Sequence, residues 1–123
     1  MDFFSFEKLT AYQKSRSLVV EVYRIVRMLP SIERFALGQQ IQRSITSITS
    51  NLAEGCRRMS VREKIHFVEI AYGSLLEAYC QLQTCYDLEY ISDEKFQAVK
   101  PLFFEVSRLL TALRQSYISK LSQ

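Results

Sequence analysis

Residues 60–86, SVREKIHFVEIAYGSLLEAYCQLQTCY, carry apolar side chains at alternating steps of four and three: Val61, Ile65, Val68, Tyr72, Leu75, Tyr79, Leu82 and Tyr86. This heptad spacing lines one face of a helix and favours a left-handed bundle with crossing angles of about +20°. Ser60 and Glu63 form the sequence pattern of a capping box, so we predict that the helix begins there. Smaller residues beside the seam indicate where another helix approaches closely: Ala71, Ser74, Ala78 and Cys85.

Residues 35–54 form a second predicted helix, with apolar residues at Leu37, Ile41, Ile45, Ile48 and Leu52. Several Ser and Thr residues lie between these positions. They are mediocre helix formers because their side chains compete for backbone groups. We therefore expect tight packing on this face, and we expect Gly55 to cap the C-terminal end of the helix.

Two further helices flank this pair. Residues 6–29 form a predicted helix that carries two adjacent apolar stripes. The helix stops at Pro30, because proline cannot continue it. After the candidate caps Ser92 and Asp93, apolar residues again recur at steps of three and four: Phe96, Val99, Phe103, Val106, Leu110, Leu113 and Tyr117. Pro101 lies inside this pattern, and we expect it to kink the helix or to mark a short first turn.

The connections near residues 30–34, 55–60 and 90–93 are short, so neighbouring helices must run antiparallel. The sequence therefore predicts an all-α fold, an up-down-up-down four-helix bundle formed by one domain over residues 1–123. Composition agrees, because 48% of the residues are hydrophobic, 24% are charged, and only three Gly and two Pro occur. The alternative is a three-helix core with a detached first helix, and the rich apolar content of residues 6–29 argues against it.

The sequence contains no recognisable catalytic or cofactor-binding motif. Glu63 and His66 have the Glu-x-x-His spacing of di-iron bundles, but such a site needs a second motif and further carboxylates. We therefore expect no metal, no cofactor and no enzymatic activity. Cys56, Cys80 and Cys85 lack metal-type spacing, and we interpret them as reduced packing residues. No membrane-spanning run or leader segment is visible, so we expect a cytoplasmic protein.

Charge is distributed unevenly, although the formal net charge is only +3. In an antiparallel bundle the two termini and the turn between the second and third helices share one end. We call the eight cationic residues predicted there the basic pole: Lys8, Lys14, Arg57, Arg58, Arg62, Lys64, Arg114 and Lys120. Such a surface attracts phosphate backbones, since each neutralised phosphate releases counterions. Tyr12 and Tyr117 lie near this end, and we expect them to be core residues and not base-stacking platforms.

Residues 40–55, QIQRSITSITSNLAEG, resemble the signature of a bacterial four-helix-bundle family first noticed in intervening sequences of 23S rRNA genes. That family is sometimes labelled ribosomal-protein-like, a label that establishes no structural role in the ribosome. Further matches are residues 67–75, FVEIAYGSL, with Leu9, Tyr12, Pro30, Glu33 and Glu77. The chain is also similar to the accessory proteins of diversity-generating retroelements. These resemblances imply a homopentamer that binds nucleic acid and a protein partner, a reverse transcriptase in the retroelement case.

Apolar residues outside the main seams independently favour an oligomer. The first helix carries two stripes, Val19, Tyr23 and Val26 beside Leu18, Val22, Ile25 and Leu29, so that one stripe is spare. The fourth helix adds Leu102, Leu109 and Ile118 off its main seam. A five-fold ring would place five basic poles side by side and make their binding multivalent.

Six residues of the family-like motifs are interpreted as structural: Arg43, Asn51, Glu54, Gly55, Gly73 and Glu77. We expect an ion pair between Arg43 and Glu77, because antiparallel second and third helices bring them within a turn of each other. We expect Glu54 to face Arg62 or Arg58, and Asn51 and Glu54 to form a network that fixes the intervening turn.

Our leading hypothesis is a non-enzymatic, oligomeric accessory protein whose basic pole contacts RNA or DNA phosphates without reading sequence. The alternative is a protein-interaction scaffold that recruits a partner through its apolar stripes. An enzyme or small-molecule binder is the least favoured interpretation.

Overall fold

The computed structural model describes residues 4–121. Over this part of the chain the α-helices are α1 (Thr10–Val26), α2 (Leu37–Cys56), α3 (Val61–Asp87) and α4 (Asp93–Leu121). A 3₁₀ helix at Ser5–Lys8 precedes α1, and a second at Ser31–Glu33 lies between α1 and α2.

Each helix packs against two neighbours and thereby closes the bundle. Helix α1 contacts α2 and α4, and α3 contacts the same two helices. Within the described residues the diagonal pairs make no close backbone approach. The antiparallel up-down-up-down bundle is therefore confirmed. The alternative with a detached first helix is wrong, because α1 buries Leu18, Val22 and Ile25 in the common core.

The first helix is shorter than predicted at both ends. The backbone at Leu9 is extended (φ −69°, ψ 127°) and separates the 3₁₀ turn at Ser5–Lys8 from α1. At the other end α1 stops at Val26, four residues before Pro30. At α4 the helix runs without interruption through Pro101, so the expectation of a separate first turn is wrong.

The predicted seams of α2 and α4 are nearly all buried. On α3 the buried face is displaced from the heptad seam toward the smaller residues: Ala71, Ala78 and Cys85 are fully buried, whereas Tyr72, Tyr79 and Tyr86 are only half-buried. This displacement occurs because small side chains let α2 and α3 approach closely, while the tyrosine rings span the outer edge of the α3–α4 contact. Tyr79 lies against Phe103, and Tyr86 stacks on Phe96.

Polar side chains connect α2 to α3 inside this close contact. The hydroxyl of Ser74 donates to the hydroxyl of Ser47 at 2.9 Å, and the hydroxyl of Ser44 donates to Gln81 Oε1 at 2.8 Å. Tight packing on the Ser/Thr-rich face of α2 is therefore confirmed, and its hydroxyl groups cross-link the two helices.

Gly55 does not cap α2 as predicted. It lies inside the helix, which continues to Cys56, and its backbone has no positive φ. A Cβ atom at this position would lie 2.8 Å from Cβ of Phe67 on α3. The glycine is required by the close approach of α3 and not by chain reversal.

Candidate nucleic-acid interface

The fold gathers an excess of positive charge at one end. Residues 4–16, 50–70 and 106–121 form this end and hold ten Lys or Arg against four Asp or Glu. The other described residues hold six Lys or Arg against eight Asp or Glu. Close contacts join the separate segments here: Lys64 Nζ donates to Cys56 O at 2.9 Å, and Arg114 pairs with Glu69 across α3 and α4.

Two lysines of the basic pole border the ring of Tyr117. Lys64 Nζ and Lys120 Nζ lie 6.0 and 5.6 Å from its centroid. The ring is buried, and burial raises the pKa of Tyr117 above its usual value. Burial also raises the pKa of the Cys56 thiol, although the charge of Lys64 opposes that increase. Tyr117 is thus a core residue, as expected, and its ring lies close to both cations.

Glu54 organises the arginines at the turn between α2 and α3. Its carboxylate accepts hydrogen bonds from Arg58 and, at 3.4 Å, from Arg57. Of the two partners predicted for Glu54, Arg58 is the one found. The guanidinium of Arg58 also lies 4.8 Å from the ring centroid of Phe67, so Arg58 is held against the protein. Arg57 keeps 72% of its side chain exposed.

Two other members of the basic pole form ion pairs on the flanks of α4. Lys14 lies 3.5 Å from Glu105, and Arg114 lies 3.0 Å from Glu69. The side chains of both pairs are about half exposed, so they neutralise charge without fixing the side chains strongly. In the described part of the chain no ion pair involves the remaining members: Lys8, Arg62, Lys64 and Lys120.

The predicted ion pair between Arg43 and Glu77 is wrong. Glu77 instead accepts a hydrogen bond from Gln81 at 3.3 Å, and neither residue enters an ion pair within the described residues. The reason lies in helix geometry. Ser44 faces α3 and is buried, and each step along a helix turns the side chain by about 100°, so Arg43 points to solvent.

Asn51 and Glu54 do not form the expected common network, because each binds different partners. Asn51 Nδ2 donates to the backbone oxygen and the hydroxyl of Ser47 at 2.8 and 2.9 Å, whereas Glu54 binds the arginines. The capping box is only half formed, because Glu63 N–H donates to Ser60 Oγ at 3.3 Å and the described residues show no reciprocal bond.

Gly73 lies on α3 without a contact of the kind found at Gly55. Apart from its chain neighbours and its own helix backbone, no described atom lies within 4 Å of the position where its Cβ would stand, so no close helix contact among the described residues requires glycine there.

An aromatic cluster at this end is missing from the predicted site. Phe4 stacks on Phe6 with centroids 5.6 Å apart and an interplanar angle of 11°, and Phe6 meets Tyr12 edge-on at 4.8 Å. The cluster borders a groove of about 380 Å³ lined by Phe4, Ser5, Phe6, Ser50, Ala53, Glu54, Cys56 and Arg57. The aromatic-rich start of the chain is the sequence signal for this cluster. A single helix over residues 6–29 does not predict the 3₁₀ turn that forms it.

The cysteines have three different environments. Cys85 is fully buried and Cys56 is half-buried, but Cys80 is exposed, so the packing role predicted for Cys80 is wrong. All three are free thiols. Among the described residues no group of three His, Cys, Asp or Glu side chains is arranged to hold a metal ion. None of the described helices is both long and apolar enough to span a membrane.

Comparison with known proteins agrees with the motifs and the bundle. The model of the family described as 23S rRNA-intervening sequence protein matches residues 7–112. A solved structure from Bacteroides thetaiotaomicron, of a protein with unknown function from the S23 ribosomal protein family, is similar with 25% identity and a TM-score of 0.78. The match covers 85% of this chain and 95% of that one. No curated protein matches the chain. The chain belongs to the 23S rRNA-intervening sequence protein family.

Proposed function

We propose that this protein is a non-enzymatic, cytoplasmic accessory protein that binds the phosphate backbone of RNA or DNA through its basic pole. The observation that carries the proposal is the excess of ten Lys or Arg over four Asp or Glu at one end of the bundle. The resemblance to the accessory proteins of diversity-generating retroelements points in the same direction.

The members of the basic pole differ in how strongly they already bind other groups of the protein. Arg57, Arg62 and Lys120 project into solvent, and Arg57 has only a long contact with Glu54. Arg58 supports the turn. Exposed cations that are weakly paired can neutralise phosphates and release counterions, so affinity should fall steeply with added salt. None of these residues belongs to a base-reading motif, and the binding is therefore independent of sequence.

The test compares two triple variants that remove the same charge from opposite ends. The first replaces Arg57, Arg62 and Lys120 by Gln, and the matched control replaces Arg27, Arg34 and Arg43 by Gln. Fluorescence anisotropy with a labelled 20-nucleotide RNA is recorded at several salt concentrations. We expect the first variant to bind about tenfold or more weakly and to lose about two to three units of salt slope. The control should bind within about twofold of wild type.

Equal losses in the two variants, or binding of the wild-type chain that does not change with salt, would contradict the proposal. Circular dichroism of both variants is the check that each of them folds.

We also propose that the protein is a homo-oligomer, with the pentamer implied by the family resemblance as the expected state. A ring of protomers would turn one modest basic pole into a multivalent surface. Val20, Leu76 and Phe104 support this proposal, since each is about half exposed on the side of the bundle.

A protein-interaction scaffold is the second candidate. It is favoured by Ile32 and Phe35, which are each 82% exposed in the connection between α1 and α2. An affinity capture that recovers one protein and no nucleic acid, and that fails when Phe35 is replaced by Ser, would favour this candidate.

A further inference from the structure

Phe4 presents an aromatic ring to solvent at the basic pole. One face of the ring is covered by Phe6, which is itself held edge-on by Tyr12. The side chain nevertheless remains 63% exposed, so the exposure comes from its other face and its edge. Among the described residues the ring is therefore supported on one face and uncovered on the other, as a stacking platform must be.

The surroundings of the platform are suited to a nucleotide. The groove of about 380 Å³ beside Phe4 lies within the range of small-ligand sites. Arg57 lines the same groove and keeps most of its side chain in solvent. The groove thus combines an aromatic face with a cation. The Glu54 carboxylate also lines it, but this carboxylate binds Arg58 and makes only a long contact of 3.4 Å with Arg57. Single-stranded nucleic acid offers the complementary pair, an unpaired base and its phosphate.

We propose that Phe4 stacks on an unpaired base of single-stranded nucleic acid while Arg57 contacts a neighbouring phosphate. This inference rests on the proposed function and deepens it, because it selects single strands over duplexes. In a duplex the bases are already stacked on each other and cannot reach a ring on the protein surface. One stacked base strengthens binding by about tenfold.

The experiment separates the contribution of the bases to binding from that of the phosphates. Affinity is measured for oligo(dT) of 12 nucleotides and for an abasic 12-mer that has the same phosphates and sugars but no bases. Wild-type protein should bind oligo(dT) about tenfold more tightly than the abasic strand. Phe4→Ala should remove this preference and leave the affinity for the abasic strand unchanged. Phe35→Ala, at an exposed phenylalanine far from the basic pole, should retain the preference.

A second measurement reports stacking directly. The chain contains no tryptophan, so Phe4→Trp introduces a single indole at the platform. We expect oligo(dT) to quench its fluorescence and the abasic strand to leave it unchanged. Phe35→Trp serves as the control and should respond to neither strand.

Each outcome decides between the two proposals. If wild type binds both strands equally and with a steep salt dependence, the stacking platform is overturned while the phosphate-binding function stands. A base preference that survives in Phe4→Ala, or an indole at position 4 that is not quenched, also overturns it. If neither strand binds in a salt-dependent way, the phosphate-binding function fails and the platform fails with it.

Discussion

Ser15 places a hydroxyl in the core, where its oxygen is fully buried and makes no hydrogen bond within the described residues. A buried hydroxyl without a partner destabilises the folded state, because it loses its bonds to water. We predict that Ser15→Ala raises the free energy of unfolding by about 1 kcal/mol, measured by urea denaturation. Ser17→Ala on the exposed face is the control and should change stability by less than about 0.5 kcal/mol. A loss of stability in Ser15→Ala would contradict the prediction.

Cys85 and Cys80 should differ sharply in reactivity. Burial, with a contribution from the charge of Glu33, raises the pKa of Cys85 to about 11, whereas Cys80 is exposed. With an aromatic disulfide reagent at pH 8 we expect Cys80 to react at once and Cys85 to react only after unfolding. Because the folded pKa is the higher one, the thiol of Cys85 stabilises the fold below its unfolded pKa, and that contribution is lost as the pH rises toward 11. Rapid modification of Cys85 in the Cys80→Ser variant would show that this view is wrong.

At the scale of the helices, two glycines of the family-like motifs have opposite surroundings. Gly55 on α2 stands against Phe67 of α3, while Gly73 on α3 faces open space. Neither has a positive φ, so the difference lies in packing alone.

Alanine substitutions at these two positions should therefore change stability in opposite directions. Gly55→Ala should lower the free energy of unfolding by about 1–3 kcal/mol, because the Cβ of Phe67 sits close to the backbone and cannot swing away. Gly73→Ala should raise it by about 0.5–1 kcal/mol, since alanine is the better helix former. Urea unfolding measures both. A Gly73→Ala variant that is less stable would mean that another protomer packs on this face of α3.

At the scale of the whole molecule, charge and apolar surface are separated. The basic pole occupies one end, whereas the apolar stripes lie along the sides. Neither stripe of α1 is spare, because Leu18 and Val22 are buried in the core and Val19 and Tyr23 are half-buried against it. Val20, beside them, is half exposed and borders an open groove with Arg24 and Arg27. The apolar surface left for a second copy is therefore smaller than the sequence predicts and centred on other residues.

We predict that static light scattering gives a mass about five times the 14.4 kDa of one chain. Val20→Asp should reduce the mass toward that of one chain without loss of helix content, because a buried charge at an interface is costly. Ile32→Asp, in the connection at one end of the bundle, should leave the mass unchanged. A wild-type mass of one chain would refute the oligomer.

The periodic spacing of apolar residues was sufficient to predict four helices, their antiparallel order and most of the core. This follows because helix period and short connections are local properties, readable from residues such as Ile41, Ile45 and Ile48 on one face. The tertiary structure alone decided which residues of different segments meet. It brought Ser44 against Gln81 and Phe67 against Gly55, and it placed Phe4 and Arg57 along one groove. Such contacts depend on how far apart two helices pack and on how each is rotated about its axis. A local pattern shows which side chains share a face of one helix, since each residue turns by about 100°, but it does not show which residue of another segment that face meets.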